Sequence, residues 1–211
     1  MPAPTAASGR MPPFRIYRDF LPPEDNRALI DWTVGRQRFF APSTLVGQIH
    51  DPSRRSSMSL QPAAGKSWRD PIRRRIDALV PGCFADLGIA PCDVSLKQFE
   101  MVAYEHGAYF TPHIDTMTGP NREEVGDRVL SGVYYFHREP KRFTGGALRI
   151  HAFGAEGEGS FVDVAPEQNL FVLFPSWARH EVREVLCPSK AFADSRFAVN
   201  CWLYRPRRGG A

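Results

Sequence analysis

The stretch "RFAVNCWLYR", Arg196–Arg205, alternates along its whole length. In an extended chain, successive side chains point to opposite faces. Phe197, Val199, Cys201 and Leu203 take one side, and Arg196, Ala198, Asn200 and Trp202 take the other. The first row is apolar and reads as core. The second carries a guanidinium, which is costly inside a barrel unless it meets an anion. Its planar fork matches a carboxylate through two parallel hydrogen bonds.

Upstream of this strand, from Pro91 onward, short runs of β-formers recur between Gly, Pro and Asn: "VSLKQFEMVAY", "YFTPHID", "VLSGVYYF", "GGALRIHAF", "GSFVDVAP", "NLFVLFPS" and "HEVREV". No helical period separates them, a pattern that suits a sandwich or jelly roll. Before Pro91 the texture differs. "FRIYRDFL" (Phe14–Leu21) alternates like an edge strand, and "SRRSSMSL" (Ser53–Leu60) is polar and β-compatible. "PPEDNRALIDWTVGRQ" reads as a helix with Pro at its start and Leu29, Ile30, Trp32 and Val34 as apolar contacts. "DPIRRRIDALV" reads as a second, with Asp70 as cap and Ile72, Ile76, Leu79 and Val80 on one face. The expected fold is mainly β with flanking α: a double-stranded β-helix (jelly roll) with the N-terminal helices packed on one sheet. Residues 1–13 read as a disordered tail and 206–211 as a flexible basic tail. Residues 14–205 read as one domain, with 14–92 as helical and β support and 93–205 as the jelly-roll core.

The 211 residues suffice for one domain with a substantial core, and 43% hydrophobic with 24% charged residues is ordinarily globular. The net charge of +4 comes largely from "RRR" at Arg73–Arg75 and "RPRRGG" at the C-terminus. A solvated helix face and a tail account for it, so no nucleic-acid partner is expected. The four cysteines form no CxxC pair. No apolar run is long enough to cross a bilayer and no signal peptide is visible, so a cytoplasmic protein without a membrane partner is expected.

"YFTPHIDT" (Tyr109–Thr116) places His113 and Asp115 two residues apart. On a strand such residues share a side about 7 Å apart. "FPSWARHEV" supplies His180 directly after an apolar strand. Two imidazoles and a carboxylate on one side of an ion leave positions open, which suits non-haem Fe(II). An HxD pair by itself is more often an ordinary surface or core histidine near a carboxylate than a metal site. His137 and His151 are spare candidates, and His50 and His106 lie in polar segments. An iron with open positions and a buried arginine together describe a receptor for a small dicarboxylate. Gly145–Gly146 read as permitting close backbone approach or a bulge, not as a phosphate site, because no helix follows them.

Several blocks, in order, resemble one known family: "YEHGAYFTPHID", "DRVLSGVYYF", "FTGGALRI", "VAPEQNLFVLFPSWARHEV" and "RFAVNCWLYR". The chain resembles the Fe(II)/2-oxoglutarate-dependent dioxygenases, and within them the prolyl 4-hydroxylase-like enzymes of the oxygen-sensing type and their bacterial relatives. The likeness runs from about Val94 to Arg205. It implies His113, Asp115 and His180 as catalytic iron ligands. It implies Arg196 as the partner of the distal carboxylate of 2-oxoglutarate, with Tyr135 and Tyr104 beside it and Ser131 on the same strand face as Tyr135. Arg128, Leu148, Asn200 and Trp202 match substrate-side positions. The implied cofactors are Fe(II), 2-oxoglutarate as cosubstrate and O₂, with L-ascorbate as a further candidate. The implied reaction hydroxylates an unactivated C–H, of a prolyl residue in a peptide or protein, and forms succinate and CO₂; a free amino acid or small metabolite is the alternative substrate. The sequence departs from the pattern in a longer "TMTGPNREEVG" after Asp115, a candidate lid, and in "REVLCPSKAFADS" after His180, which makes Lys190 a rival to Arg196. From other classes, a zinc-dependent hydrolase would need Glu181 as general base, and a non-catalytic jelly-roll binding module would need no metal.

Overall fold

The computed structural model describes residues 10–45, 47–116, 127–153 and 160–206. The strands, in chain order, are β1 (Arg15–Tyr17), β2 (Phe40–Pro42), β3 (Met58–Leu60), β4 (Ser95–Tyr104), β5 (Phe110–His113), β6 (Asp127–Phe136), β7 (Thr144–Gly145), β8 (Leu148–His151), β9 (Phe161–Val164), β10 (Leu170–Pro175), β11 (His180–Val182), β12 (Val185–Leu186) and β13 (Arg196–Arg205). They form a larger sheet in the order β1-β10-β6-β13-β4-β3-β2 and a smaller one in the order β5-β11-β8-β9, with β7 and β12 as a separate pair. The long β13 lies antiparallel between β4 and β6. This is the jelly roll expected from the sequence, and each of the eight β-patterned segments after Pro91 contributes to a strand.

Two apolar layers flank the larger sheet. On its outer face lie α1 (Pro23–Val34) and α2 (Arg69–Leu87), packed over Phe197, Val199, Cys201 and Leu203. On its inner face Ala198, Val102, Tyr104, Val133 and Tyr135 meet Leu148, Ile150 and Val182 of the smaller sheet. The alternation of β13 is therefore the partition between the two layers. α1 buries Asn26, Leu29, Ile30 and Thr33, a spacing of three and four that places them on one helix face. Trp32 and Val34 pack at its margin, half-buried.

The second helix differs from its expected form at both ends. Trp68 occupies the N-cap position without a side-chain cap bond, and Asp70 lies inside the first turn, where its charge favours the helix dipole. The helix also runs through Pro81 to Leu87. A proline forfeits one backbone hydrogen bond. Here Cys83, Phe84 and Leu87 beyond it are buried, and that burial offsets the loss. Gly88, with φ of 65°, ends the helix in the left-handed conformation.

The expected N-terminal tail is docked at its inner end. Arg10 accepts a hydrogen bond from the Phe153 N–H at 3.0 Å, and Met11 and Phe14 pack against the inner layer. The rest of that tail (1–9), most of the loop after Asp115 (117–126) and the basic tail from 207 lie outside the described residues. A further device absent from the sequence reading is Asn169. Its amide brackets Leu21, accepting from the backbone N–H at 2.9 Å and donating to the carbonyl at 2.8 Å, and it also accepts from the Tyr134 hydroxyl. This ties the N-terminal segment to the head of β10.

Gly132 sits where β6 faces the outer layer. A Cβ there would meet Phe171 at 2.5 Å and Cys201 at 2.7 Å. Gly132→Ala is expected to destabilise the protein by about 1–3 kcal/mol through overpacking. Urea unfolding followed by circular dichroism should show a lower midpoint with an unchanged slope.

Candidate metal centre

His113 ends β5 and His180 begins β11, and the two are direct cross-strand partners. Asp115 joins them by a different route from the expected one. β5 stops at His113, so Asp115 is not on an extended strand. Its backbone N–H and that of Thr116 both donate to the Ser176 carbonyl, at 2.9 and 3.1 Å, and this folds the carboxylate back. Asp115 Oδ1 lies 3.7 Å from His113 Nε2, and Oδ2 lies 3.7 Å from His180 Nε2. One ligand atom from each residue lies within 4.8 Å of the others, a group that could hold a metal ion.

The surroundings prepare these atoms for coordination. His113 Nδ1 bonds to the Thr111 carbonyl at 2.9 Å and His180 Nδ1 to the Ala178 carbonyl at 2.8 Å. A carbonyl only accepts, so each Nδ1 carries its proton and each Nε2 presents a lone pair to the centre. Burial, helped by neighbouring His180, pushes the His113 imidazole down to about 3, so it is neutral at physiological pH. Burial opposes ionisation of Asp115. The facing imidazoles of His180 and His113 and the Ser131 hydroxyl outweigh it and hold the carboxyl below its ordinary range. Ser131, only 1% exposed, donates to Asp115 Oδ2 at 2.7 Å and is 2.9 Å from the Ser176 hydroxyl.

The three residues line a cavity of about 900 Å³ between the sheets. Tyr104, Arg128, Leu148, Arg196, Asn200 and Trp202 line the same cavity. Arg196 is 1% exposed. Its Nε donates to the Gly146 carbonyl at 2.8 Å, and its guanidinium carbon lies 4.7 and 4.8 Å from the Tyr104 and Tyr135 ring centroids. Its Nη1 and the Tyr135 hydroxyl are buried and face each other, and neither makes a hydrogen bond of good geometry to any described residue. Burial pushes the Tyr135 hydroxyl up to about 12, restrained by the adjacent guanidinium, so it stays a donor. Gly146 permits this packing: it has φ of 68°, and a Cβ there would lie 2.7 Å from Arg196 Cδ.

Ser131 faces the cavity's wall but spends its hydroxyl on Asp115, not on the neighbourhood of Arg196. The sequence gives no sign of this, because residues 115 and 131 meet only through the fold. Lys190 is exposed in a turn with φ of 54° and does not line the cavity. Glu181 faces the other side of the smaller sheet, beside Arg149, His151 and Arg183. It therefore cannot act as a base at the cluster. His137 bonds to the Arg138 carbonyl and packs edge-on to Phe143, away from the three ligands. A largely buried ion pair lies in the cavity wall: Arg55 Nη2 donates to Glu100 Oε2 at 2.9 Å. Sequence reading missed it because its halves lie 45 residues apart.

A family model described as the 2OG-Fe(II) oxygenase superfamily matches residues 99–204. An uncharacterized PKHD-type hydroxylase of Synechocystis is 30% identical over 191 residues, which cover 88% of this chain and 61% of that protein. The chain thus spans about three fifths of that relative's length. Among solved structures, a Pseudomonas putida prolyl-4-hydroxylase shares the fold with a TM-score of 0.63 and 22% identity, covering 93% of this chain and 94% of that one. A Trichoplax adhaerens prolyl hydroxylase, solved with a hypoxia-inducible-factor peptide fragment, gives 0.67 and 19%, covering 94% and 84%. A Burkholderia pseudomallei 2OG-Fe(II) oxygenase family protein gives 0.59 and 16%, covering 92% and 86%.

Removing a hydrogen bond that orients a metal-binding carboxylate typically lowers metal affinity at least tenfold. Ser131→Ala is accordingly expected to weaken Co(II) binding about tenfold, read from the visible absorption of the titrated protein, with little change in its melting temperature.

Proposed function

Because the chain belongs to the 2OG-Fe(II) oxygenase superfamily, we propose that it hydroxylates an unactivated C–H of a prolyl residue in a peptide or protein, forming succinate and CO₂ from 2-oxoglutarate and O₂. The observation that carries this reading is a buried pair of donors, Arg196 Nη1 and the Tyr135 hydroxyl, that no acceptor among the described residues satisfies, in the same inter-sheet core as a His-Asp-His group. A buried cation without a carboxylate partner is costly, and a dicarboxylate cosubstrate would relieve it. The donor set also fits Fe(II), two imidazoles and one carboxylate leaving positions for ligands.

When bound, the iron would supply the oxidising chemistry with O₂. His113, Asp115 and His180 would hold it, and Ser131 would fix the carboxylate. Arg196 and Tyr135 would bind the distal carboxylate of 2-oxoglutarate, with the face of Tyr104 against the guanidinium. Leu148 and Val182 would exclude water beside the metal. Arg128, Asn200 and Trp202 would contact the substrate. Residues 14–205 would act as one dioxygenase domain. No helix of the described residues is long and apolar enough to cross a membrane, and all four cysteines are free. The free thiols suit a reducing compartment, and on them we place the activity in the cytoplasm. Glu181 points away from the cluster, and Glu100 is paired with Arg55, which leaves a zinc hydrolase without its base among the described lining residues.

The test is succinate release by the purified, Fe(II)-loaded protein with 2-oxoglutarate in air, with prolyl peptides and with free amino acids, with and without L-ascorbate. Asp115→Ala should abolish turnover. Arg196→Gln should raise the 2-oxoglutarate requirement about a hundredfold, the effect of about 3 kcal/mol, while Mn(II) affinity stays within about twofold. Lys190→Ala should leave both unchanged. Absence of succinate from metal-replete protein across the peptide and amino-acid panel would remove the proposal.

A further inference from the structure

The mouth of the cavity holds a guanidinium whose charge nothing in the described structure balances. Strict alternation along β6 would send Arg128 to the outer layer with Leu130. The ladder with β13 pairs Leu203 with Leu130 and Tyr204 with Arg128, so one extra residue, Val129, intervenes. Such a bulge reverses the facing of what precedes it. Arg128 consequently lines the inner cavity. A matching irregularity in β4, between the partners of Trp202 and Leu203, leaves Gln98 facing inward and Leu96 outward.

Arg128 is held there by neutral groups. Its Nε donates to the Tyr204 hydroxyl at 2.8 Å, and its Nη2 to Gln98 Oε1 at 2.8 Å. The guanidinium lies 4.2 Å from the Trp202 ring centroid. These contacts fix its orientation without cancelling its charge, and Nη1 makes no bond among the described residues. Other arginines contrast with it: Arg55 is paired with Glu100, Arg149 with Asp163 and Arg205 with Asp127. The described lining residues carry four arginines (54, 55, 128 and 196) against two carboxylates (Glu100 and Asp115), so 4 − 2 leaves +2. With Arg196 serving the cosubstrate and Arg55 neutralised, Arg128 and the exposed Arg54 remain for the substrate.

We propose that the substrate of this site carries a carboxylate that docks on Arg128. The inference rests on the dioxygenase reading above and adds the chemical class. Trp202 is the cross-strand partner of Ser131, which holds Asp115. Three residues of strand span about 10 Å, so the carboxylate lies within about three residues of the oxidised carbon. An acidic side chain of a peptide or a free terminal carboxylate would both satisfy this.

The experiment uses full-length protein loaded with Mn(II) and 2-oxoglutarate under argon, which binds but does not turn over. Labelled prolyl peptides carry Asp or Asn at each of the three positions on either side of proline. N-acetyl-prolyl-glycine and its amide form the free-carboxylate arm. In at least one register the acid should bind about tenfold more tightly than the amide, and the preference should shrink as KCl rises from about 50 to about 500 mM. In Arg128→Gln the preference should fall below about threefold; Arg128→Lys should retain part of it. Equal binding of acid and amide in every register, binding by neither, or a preference that survives Arg128→Gln overturns the proposal. Should Arg128→Gln fail to fold, the salt dependence of the unmodified protein decides. Peptides with alanine for proline separate the two readings: an acid preference that persists there leaves the carboxylate inference standing and removes the prolyl one.

Discussion

A buried positive charge with no carboxylate beside it among the described residues is the constraint on which this architecture turns. Arg196 is 1% exposed, and its company is two aromatic faces and a backbone carbonyl. In a low-dielectric interior that arrangement is costly unless an anion completes it. Much of the inner sheet is shaped around this guanidinium. Gly146 lacks a side chain so that the arginine stem can pass, Tyr135 keeps its proton, and the alternation of β13 sends only one row of side chains inward.

From this end the inner face of the larger sheet changes character in steps. Beside Arg196 stand aromatic rings; next come Ala198 and Val102, which are small and apolar; then the Arg55–Glu100 pair with Asn200; and last Trp202 with Gln98 and Arg128. Glu100 receives Arg55, Ser59 and Asn200, so it is fully engaged although it faces the cavity. Charge is thus compensated in the middle of the wall and left uncompensated at its two ends. A field of this form draws anions to two separate positions.

Most of the architecture was legible because strand alternation is a short-range signal. The outer row Phe197, Val199, Cys201 and Leu203 could be read from one decapeptide, and so could the inward row beginning at Arg196. The three clustered residues were legible from spacing together with the family resemblance. What escaped depended on long-range partners or on local breaks in period. The helix read over "DPIRRRIDALV" runs on through Pro81 because Phe84 and Leu87 beyond it are buried by the fold. Asp115 reached its place through a backbone turn onto Ser176 and not through strand geometry. Ser131 and Asn169 owe their roles to neighbours distant in sequence. Arg128 was matched to the substrate side by resemblance, while simple parity would have turned it outward; the extra residue in β6 resolves that conflict.

The facing of His113 and His180 has a mechanical side. Both belong to the smaller sheet, whose edge strand β5 is only four residues long and whose register with β11 breaks immediately after this pair. Few backbone bonds therefore fasten β5 to β11 there, although its other side is bridged to residues 54–56. An ion gripped by both imidazoles would act as a rivet across the seam, joining the last strand to the sheet at the point where the ladder is weakest. Chelation would then loosen the rim of the barrel as well as silence its chemistry, and amide exchange along β5 would report how firmly the rivet holds.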